Sequence, residues 1–350
     1  MTTVPPPGAV LVLGEALIDL VPAEGGPGTA RRYAAEPGGA PVNVAVGLAR
    51  LGTPSFFAGA LGGDAFAGDL ERVLTGAGVD TSLTGRSPLP TTLAVTDPRP
   101  DTTGYHFHLA ATATFEIPDH AEAAGAFSAV YAGGLAAVVA PAAESVAATA
   151  RAAARSSVLM VDPNVRVDRS IAPRDGARSL RDLCALAHVV KVSDEDLAAL
   201  WPGESAEDSC ARLAAGGRLV LLTRGAHGST AFTADGERVA VPATPVTVVN
   251  TIGAGDAFAA AVLHRLAALA PPPGGPVRVT REQAADILAF AGRAAAAVVS
   301  GPGTALTGPL ARDTVDLTRL ALDTTSDART AGPGHRWLLD LPEEPVTVVG

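Results

Sequence analysis

Aromatic residues are scarce in this chain, at 4% of 350 positions. That argues against a β-sandwich core and for close helix-on-sheet packing by alanine and glycine. Cysteine is almost absent. Cys184 and Cys210 are too few for a disulfide framework or a zinc site, and their helical surroundings predict two small core residues in a reducing cytoplasm. Basic charge is also short, 26 residues against 36 acidic, for a net charge of -10. Nucleic-acid binders need a basic face, so no nucleic-acid partner is expected. A local nest of N–H groups can still receive an anionic ligand in such a field. Met1 to Gly8 has neither a basic residue nor a long apolar stretch, which predicts no signal peptide. The most apolar run, residues 123–143, is broken by Ser128, Gly133-Gly134 and Pro141. It predicts a strand plus a turn, not a membrane span.

Several motifs are missing as well. There is no G-x-x-x-x-G-K-[ST], no H-E-x-x-H, no C-x-x-C, no G-x-S-x-G, and no G-x-G-x-x-G after the first strand. P-loop, zincin, thioredoxin-like, α/β-hydrolase and nicotinamide-binding chemistry are thereby disfavoured. No internal repeat is seen.

What remains is an apolar chain, 47% hydrophobic and 18% charged, well able to bury a core. Its most informative stretch is Asn250-Thr251-Ile252-Gly253-Ala254-Gly255-Asp256-Ala257-Phe258. The apolar run Val246–Val249 before it and the alanine-rich run after it predict a strand ending where a helix begins. N–H groups at a helix start lack partners and carry the positive end of the dipole. Gly253, Ala254 and Gly255 would let an anion approach them. Asp256 then has two readings. It caps the helix, or it takes a proton from an attacking hydroxyl while the N–H groups hold a phosphoryl group.

Short apolar runs recur along the chain at βα spacing. Val10–Leu13, Ser55–Gly59, Ala129–Ala132, Val158–Val161, Val189–Val192 and Leu219–Leu222 predict buried strands. Polar groups cluster where these runs end, which is where α/β proteins bind ligands. Asp19 follows the first run and could bond a polyol or be a loop carboxylate. Gly38-Gly39-Ala40-Pro41-Val42-Asn43 precedes a helix, with Asn43 in its first turn, able to face a ligand over the glycines. Arg31–Glu36 suggests a short strand. Asp64 predicts an N-cap. Arg166, ending Asp162-Pro163-Asn164-Val165-Arg166, could clamp a phosphate or sugar oxygen. Ser193 and Asp196 have capping-box spacing, and Thr280-Arg281-Glu282-Gln283 opens a helix to about Val299. Residues 91–97 and 104–109 alternate as a hairpin, with His106 and His108 on one face.

Two of these motifs together resemble the ribokinase-like (PfkB-type) carbohydrate kinases. Gly38-Gly39-Ala40-Pro41-Val42-Asn43, with Gly52 and Gly62, is similar to their N-terminal motif. Gly253-Ala254-Gly255-Asp256 is similar to their C-terminal one. The likeness runs from about Val10 to Leu306. It implies a three-layer α/β/α sandwich with a mostly parallel sheet and a small β-stranded lid from about 15–37 and 90–110. Residues 1–310 would form the kinase domain, and 311–350 a C-terminal helix and extended tail.

The resemblance also implies roles. Asp256 would be the base, with Gly253, Ala254 and Gly255 as anion hole. Asp19, Gly38, Gly39, Asn43 and Arg166 would bind the sugar. Ser193, Thr223, Gly225, Gly228 and Gly292 would line the ATP site, and Asp196 would lie near Mg2+, since Ser193 to Asp196 stands at the family's N-x-x-E motif. Asn250 replaces the usual Asp beside a monovalent-cation site, and a neutral amide weakens such a site. Gly14-Glu15 with Asp19, and the stretch ending in Arg166, are most similar to fructokinases. Expected partners are therefore ATP and a small sugar, fructose before 2-keto-3-deoxygluconate, ribose or a nucleoside, with a homodimer through the lid and no membrane. A sugar-binding sensor is the non-enzymatic alternative.

Overall fold

A computed structural model describes residues 4–23, 31–96, 105–166, 173–301, 303–308 and 310. The helix and tail expected over 311–350, and the hairpin turn over 97–104, lie outside the described residues. In chain order the first strands are β1 (Val10–Leu13), β2 (Leu17–Ala23) and β3 (Arg32–Gly38). Helix α1 (Ala40–Arg50), β4 (Ser55–Ala58), β5 (Ala60–Leu61) and α2 (Ala65–Gly76) follow. Next come β6 (Gly85–Arg86), β7 (Thr92–Thr96), β8 (Tyr105–His108) and β9 (Ala129–Gly133). The alternation then runs α3 (Ala142–Ser156), β10 (Val158–Asp162), α4 (Pro173–Leu186), β11 (Val189–Ser193), α5 (Asp194–Leu200), α6 (Ala206–Ala215) and β12 (Leu219–Thr223). Strands β13 (Ser229–Phe232) and β14 (Arg238–Val241) and helices α7 (Ala254–Leu269) and α8 (Arg281–Val299) complete it.

The main sheet has eight strands in the order β14-β13-β12-β11-β10-β9-β1-β4. All neighbours from β12 to β4 are parallel, while β13 and β14 add antiparallel. Helices cover both faces, so the expected α/β/α sandwich is present. The strands read as continuous apolar runs because both faces are buried. Alternate residues divide between the two faces. Leu11, Val130, Leu159, Val190 and Val220 join Val146, Leu180, Leu183, Cys184, Cys210 and Leu213 of α3, α4 and α6 in one apolar cluster. Both thiols are buried there, as the composition suggested. Each fully buried Leu or Val contributes about 1.5–3 kcal/mol. The opposite face carries Tyr131, Asp162 and Lys191, a different chemistry taken up below.

A second sheet has the order β3-β2-β7-β8. In it Asp19 lies opposite Glu36 on β3 and Ala94 on β7. Asp19 is thus a strand residue, not part of a loop closing the first strand.

Helix starts follow their sequence signals. Ser193 caps α5 and Thr280 caps α8, each in a reciprocal capping box with Asp196 and Gln283. Asp64 caps α2 by accepting from the Ala67 N–H. Helix α1 begins at Ala40, because Pro41 is pre-organised for a first turn, and Asn43 lies in that turn.

The strand expected at Val246–Val249 is not there. After β14 the chain runs without regular structure to α7. Val248 and Val249 are 63% and 61% exposed. The Val249 and Asn250 N–H groups donate to the Val299 carbonyl at the end of α8. This run docks against the end of α8 instead of joining a ladder.

Candidate active site

The start of α7 is built from a left-handed residue. Gly253 is its N-cap, with φ 81°. A Cβ there would lie 1.7 Å from the Thr304 carbonyl oxygen, so no other residue fits. The turn into it is folded by Asn250, whose side-chain oxygen accepts from the Ile252 N–H at 3.0 Å. Ala254 and Gly255 open the helix, and the Ala254 N–H has only a long 3.4 Å bond back to the Thr251 carbonyl.

Asp256 stands in the first turn of α7 and is 8% exposed. It does not cap the helix by a side-chain bond. Its Oδ2 accepts instead from the Asn43 amide at 2.9 Å, between residues 213 apart in sequence. That bond joins α1 to α7, so the two motifs singled out in the sequence meet. Burial raises the Asp256 carboxyl; the Asn43 bond, Lys191 and Arg166 pull it back only in part.

Asp19 approaches from the second sheet. A Cβ on Gly38 would sit 2.1 Å from its carboxylate, so the bare glycine lets Asp19 lie flat on the backbone. Gly39, with φ 103°, leads into α1. Burial pushes Asp19 up to about 6, Arg166 works against this, and Asp256 and Glu36 add to it. Arg166 acts electrostatically on Asp19, Asp256, Glu15, Tyr105 and Tyr131. The sugar-side residues expected from sequence therefore share one neighbourhood.

On the other side, Ser193 and Thr223 are register partners at the ends of β11 and β12. Ser193 is occupied by its capping box, and Thr223 Oγ1 donates to the Val192 carbonyl at 3.3 Å. Gly225 meets nothing within 4 Å, and Gly292 on α8 meets only Thr244 Oγ1 at 4.0 Å. Both leave open space for a ligand. Gly228 is instead packed against the backbone of β14. Both Asp196 oxygens accept hydrogen bonds within the protein. Its Oδ1 accepts from the Val165 N–H at 2.8 Å and its Oδ2 from Ser193 N and Oγ at 2.9 Å.

Two residues escaped the sequence reading as site residues. Lys191 donates to Asp162 Oδ2 at 2.9 Å, with both side chains buried. Burial alone would lower the Lys191 ammonium, but Asp162, Asp196 and Asp256 raise it. Burial pushes Asp162 up to about 6 against Lys191's pull. A signal was present: a lysine inside Val189-Val190-Lys191-Val192 is a charge in a fully buried strand, which must be paired or functional.

The pfkB family carbohydrate kinase pattern matches residues 8–310. The chain belongs to that family. It is a carbohydrate kinase, a phosphotransferase with an alcohol acceptor. A fructokinase of Rhizobium leguminosarum bv. trifolii is 33% identical over 265 residues, covering 73% of this chain and 79% of that protein. A fructokinase of Klebsiella pneumoniae is 33% identical over 267 residues, covering 75% and 85%. Among solved structures, a fructokinase of Vibrio cholerae O395 in fructose-, ADP- and calcium-bound form aligns with TM-score 0.72 and 27% identity, covering 86% of this chain and 96% of that one. In this carbohydrate kinase no helix among the described residues is long and apolar enough to cross a membrane.

Proposed function

We propose that this protein is an ATP-dependent fructokinase working in the cytoplasm. The observation that carries this is the Asn43–Asp256 bond, which joins a polyol-facing motif to a phosphoryl-facing one. The acceptor hydroxyl oxygen attacks the terminal phosphorus of ATP. The bond to the bridging oxygen breaks, its electron pair leaves on ADP, and the hydroxyl proton passes to Asp256. The N–H groups of Gly253, Ala254 and Gly255 hold the transferring group, which needs positioning and charge stabilisation more than covalent help. Asp19, Asn43 and the Gly38-Gly39 backbone hold the sugar. Gly225 and Gly292 leave room for the nucleotide.

A neutral sugar suits the pocket. Arg166 has Glu15, Asp19 and Asp256 around it, so little positive charge is left for an acid such as 2-keto-3-deoxygluconate. Magnesium is implied by the chemistry, yet the described residues do not fit a direct protein chelate. Both Asp196 oxygens already accept hydrogen bonds within the protein, and no group of three His, Cys, Asp or Glu among the described residues could hold a metal. Magnesium would arrive on the nucleotide's phosphates, largely hydrated, and supply counter-charge there. The sheet β3-β2-β7-β8 would serve as lid, and two copies would pair through it; a monomer by sedimentation would remove the pairing.

Steady-state assays over fructose, 2-keto-3-deoxygluconate, ribose and nucleosides test the proposal. Fructose should give the highest kcat/KM. Sugar binding by calorimetry without any phosphorylated product would favour a sensor instead.

A further inference from the structure

We infer that Lys191 is a further catalytic residue, a second positive charge beside the N–H groups at the start of α7, and that Asp162 is the positioning residue that holds it there. This rests on the kinase reading above.

The geometry comes from register. Val189 and Val190 of β11 pair with Met160 and Val161 of β10, so Lys191 falls beside Asp162 on the same face of the sheet. Asp162 Oδ2 accepts one of the ammonium's three N–H groups at 2.9 Å. A Cβ built on Gly255 would lie 3.1 Å from Lys191 Nζ, with the Lys191 Cε at 3.9 Å its only other close neighbour. The ammonium therefore rests directly on the second residue of α7, in the space that a side chain there would fill. Among the described residues, Lys191 Nζ has no second hydrogen-bond acceptor, although Asp196 and Asp256 act on it electrostatically. A cation held at the mouth of a helix start, with donors to spare, matches the non-bridging oxygens of a transferring phosphoryl group. It also explains the charge itself. A buried ion pair with no task is replaceable by uncharged side chains at little cost to the fold.

In the reaction Lys191 exchanges no proton. It donates hydrogen bonds to oxygens on which negative charge gathers as the phosphorus–bridging-oxygen bond breaks, while the acceptor's proton goes to Asp256. Asp162 keeps the ammonium from swinging away.

The test replaces both partners at once, so that no unpaired charge stays buried. The Lys191→Met/Asp162→Asn protein should melt close to wild type and keep a fructose KM within about threefold. Its kcat should fall by about 10²–10³-fold, the usual cost of removing one transition-state donor. Its preference for ATP over ADP, measured by calorimetry, should also shrink, which a purely structural pair would not cause. A folded double variant with kcat within about threefold of wild type overturns the inference. Should the double variant not fold, wild-type protein crystallised with fructose and a non-hydrolysable ATP analogue decides instead. Lys191 Nζ within about 3.2 Å of a terminal-phosphoryl oxygen supports the inference, and an ammonium turned away from the phosphates overturns it. Wild-type protein that phosphorylates no sugar sinks the kinase reading itself; active wild type with an active double variant sinks only the role of Lys191.

Discussion

The two faces of the main sheet are made by the same strands and do opposite things. On one, Val130, Leu159, Val190 and Val220 meet α3, α4 and α6 in an unbroken apolar layer. On the other, Tyr131, Asp162 and Lys191, which directly follow Val130, Val161 and Val190 of that layer, turn toward α1 and α7. Asp162 ends β10, and Lys191 is the middle residue of β11. A charge placed one residue away would fall into the apolar cluster and have no partner. The period of two along a strand thus lets five-residue strands carry both a core and a reaction.

If the faces divide the work this way, substitutions on each should separate turnover from stability. The largest effect should come from Asp256→Asn, with kcat down by about 10²–10⁴-fold while ATP and fructose still bind by calorimetry. Near-wild-type turnover would remove Asp256 as the base. Leu159→Ala, on the apolar face, should cost about 2–5 kcal/mol of stability in denaturant melts yet leave kcat unchanged below the melting transition. A loss of kcat in the folded variant would mean the faces are not independent. Asn43→Ala leaves Asp256 without its bonded partner, a loss of about 1–3 kcal/mol. If that loss is expressed in the transition state, kcat/KM should drop about ten- to hundredfold, and a drop smaller than about threefold would show that Asp256 needs no such partner. The mildest test is pH. Burial raises both Asp19, to about 6, and Asp256; Asp19 must be ionised to accept the sugar's hydrogen bonds, and Asp256 to take its proton. Activity should therefore be lost as pH falls through about 6, where Asp19 protonates, by about tenfold per unit, and the raised Asp256 adds to the loss on the acid side. A kcat/KM for fructose that is flat down to pH 5 would contradict this.

Much of this was legible in the sequence because it was repeated. Six apolar runs at βα spacing predicted the parallel strands, since a sheet buried on both faces permits little else. Asp256 and Asn43 were legible because each stood in a small-residue motif. Other features depended on the fold. Val246–Val249 has the composition of a strand, but its N–H partner is the Val299 carbonyl at the end of α8, a contact that only the fold creates. The hairpin β13–β14 itself went unseen in the Gly225–Val241 stretch. Lys191 was overlooked because its flanking valines read as core, and only the β10–β11 register shows that Asp162 stands beside it. The partners of Asp196 were equally hidden: capping-box spacing predicted the bonds to Ser193 but could not predict the Val165 N–H across from it.

Sugar and nucleotide must meet at the start of α7, so a crystal structure with fructose and a non-hydrolysable ATP analogue is the most direct test. A fructose hydroxyl should lie within about 2.6–3.2 Å of the Asp256 carboxylate, with the terminal phosphoryl group against the N–H groups of residues 253–255. The account is contradicted if the ligands bind apart from one another, or if the phosphates settle at the other end of the strands, in the groove lined by Phe127, Ser156, Leu266 and Pro271.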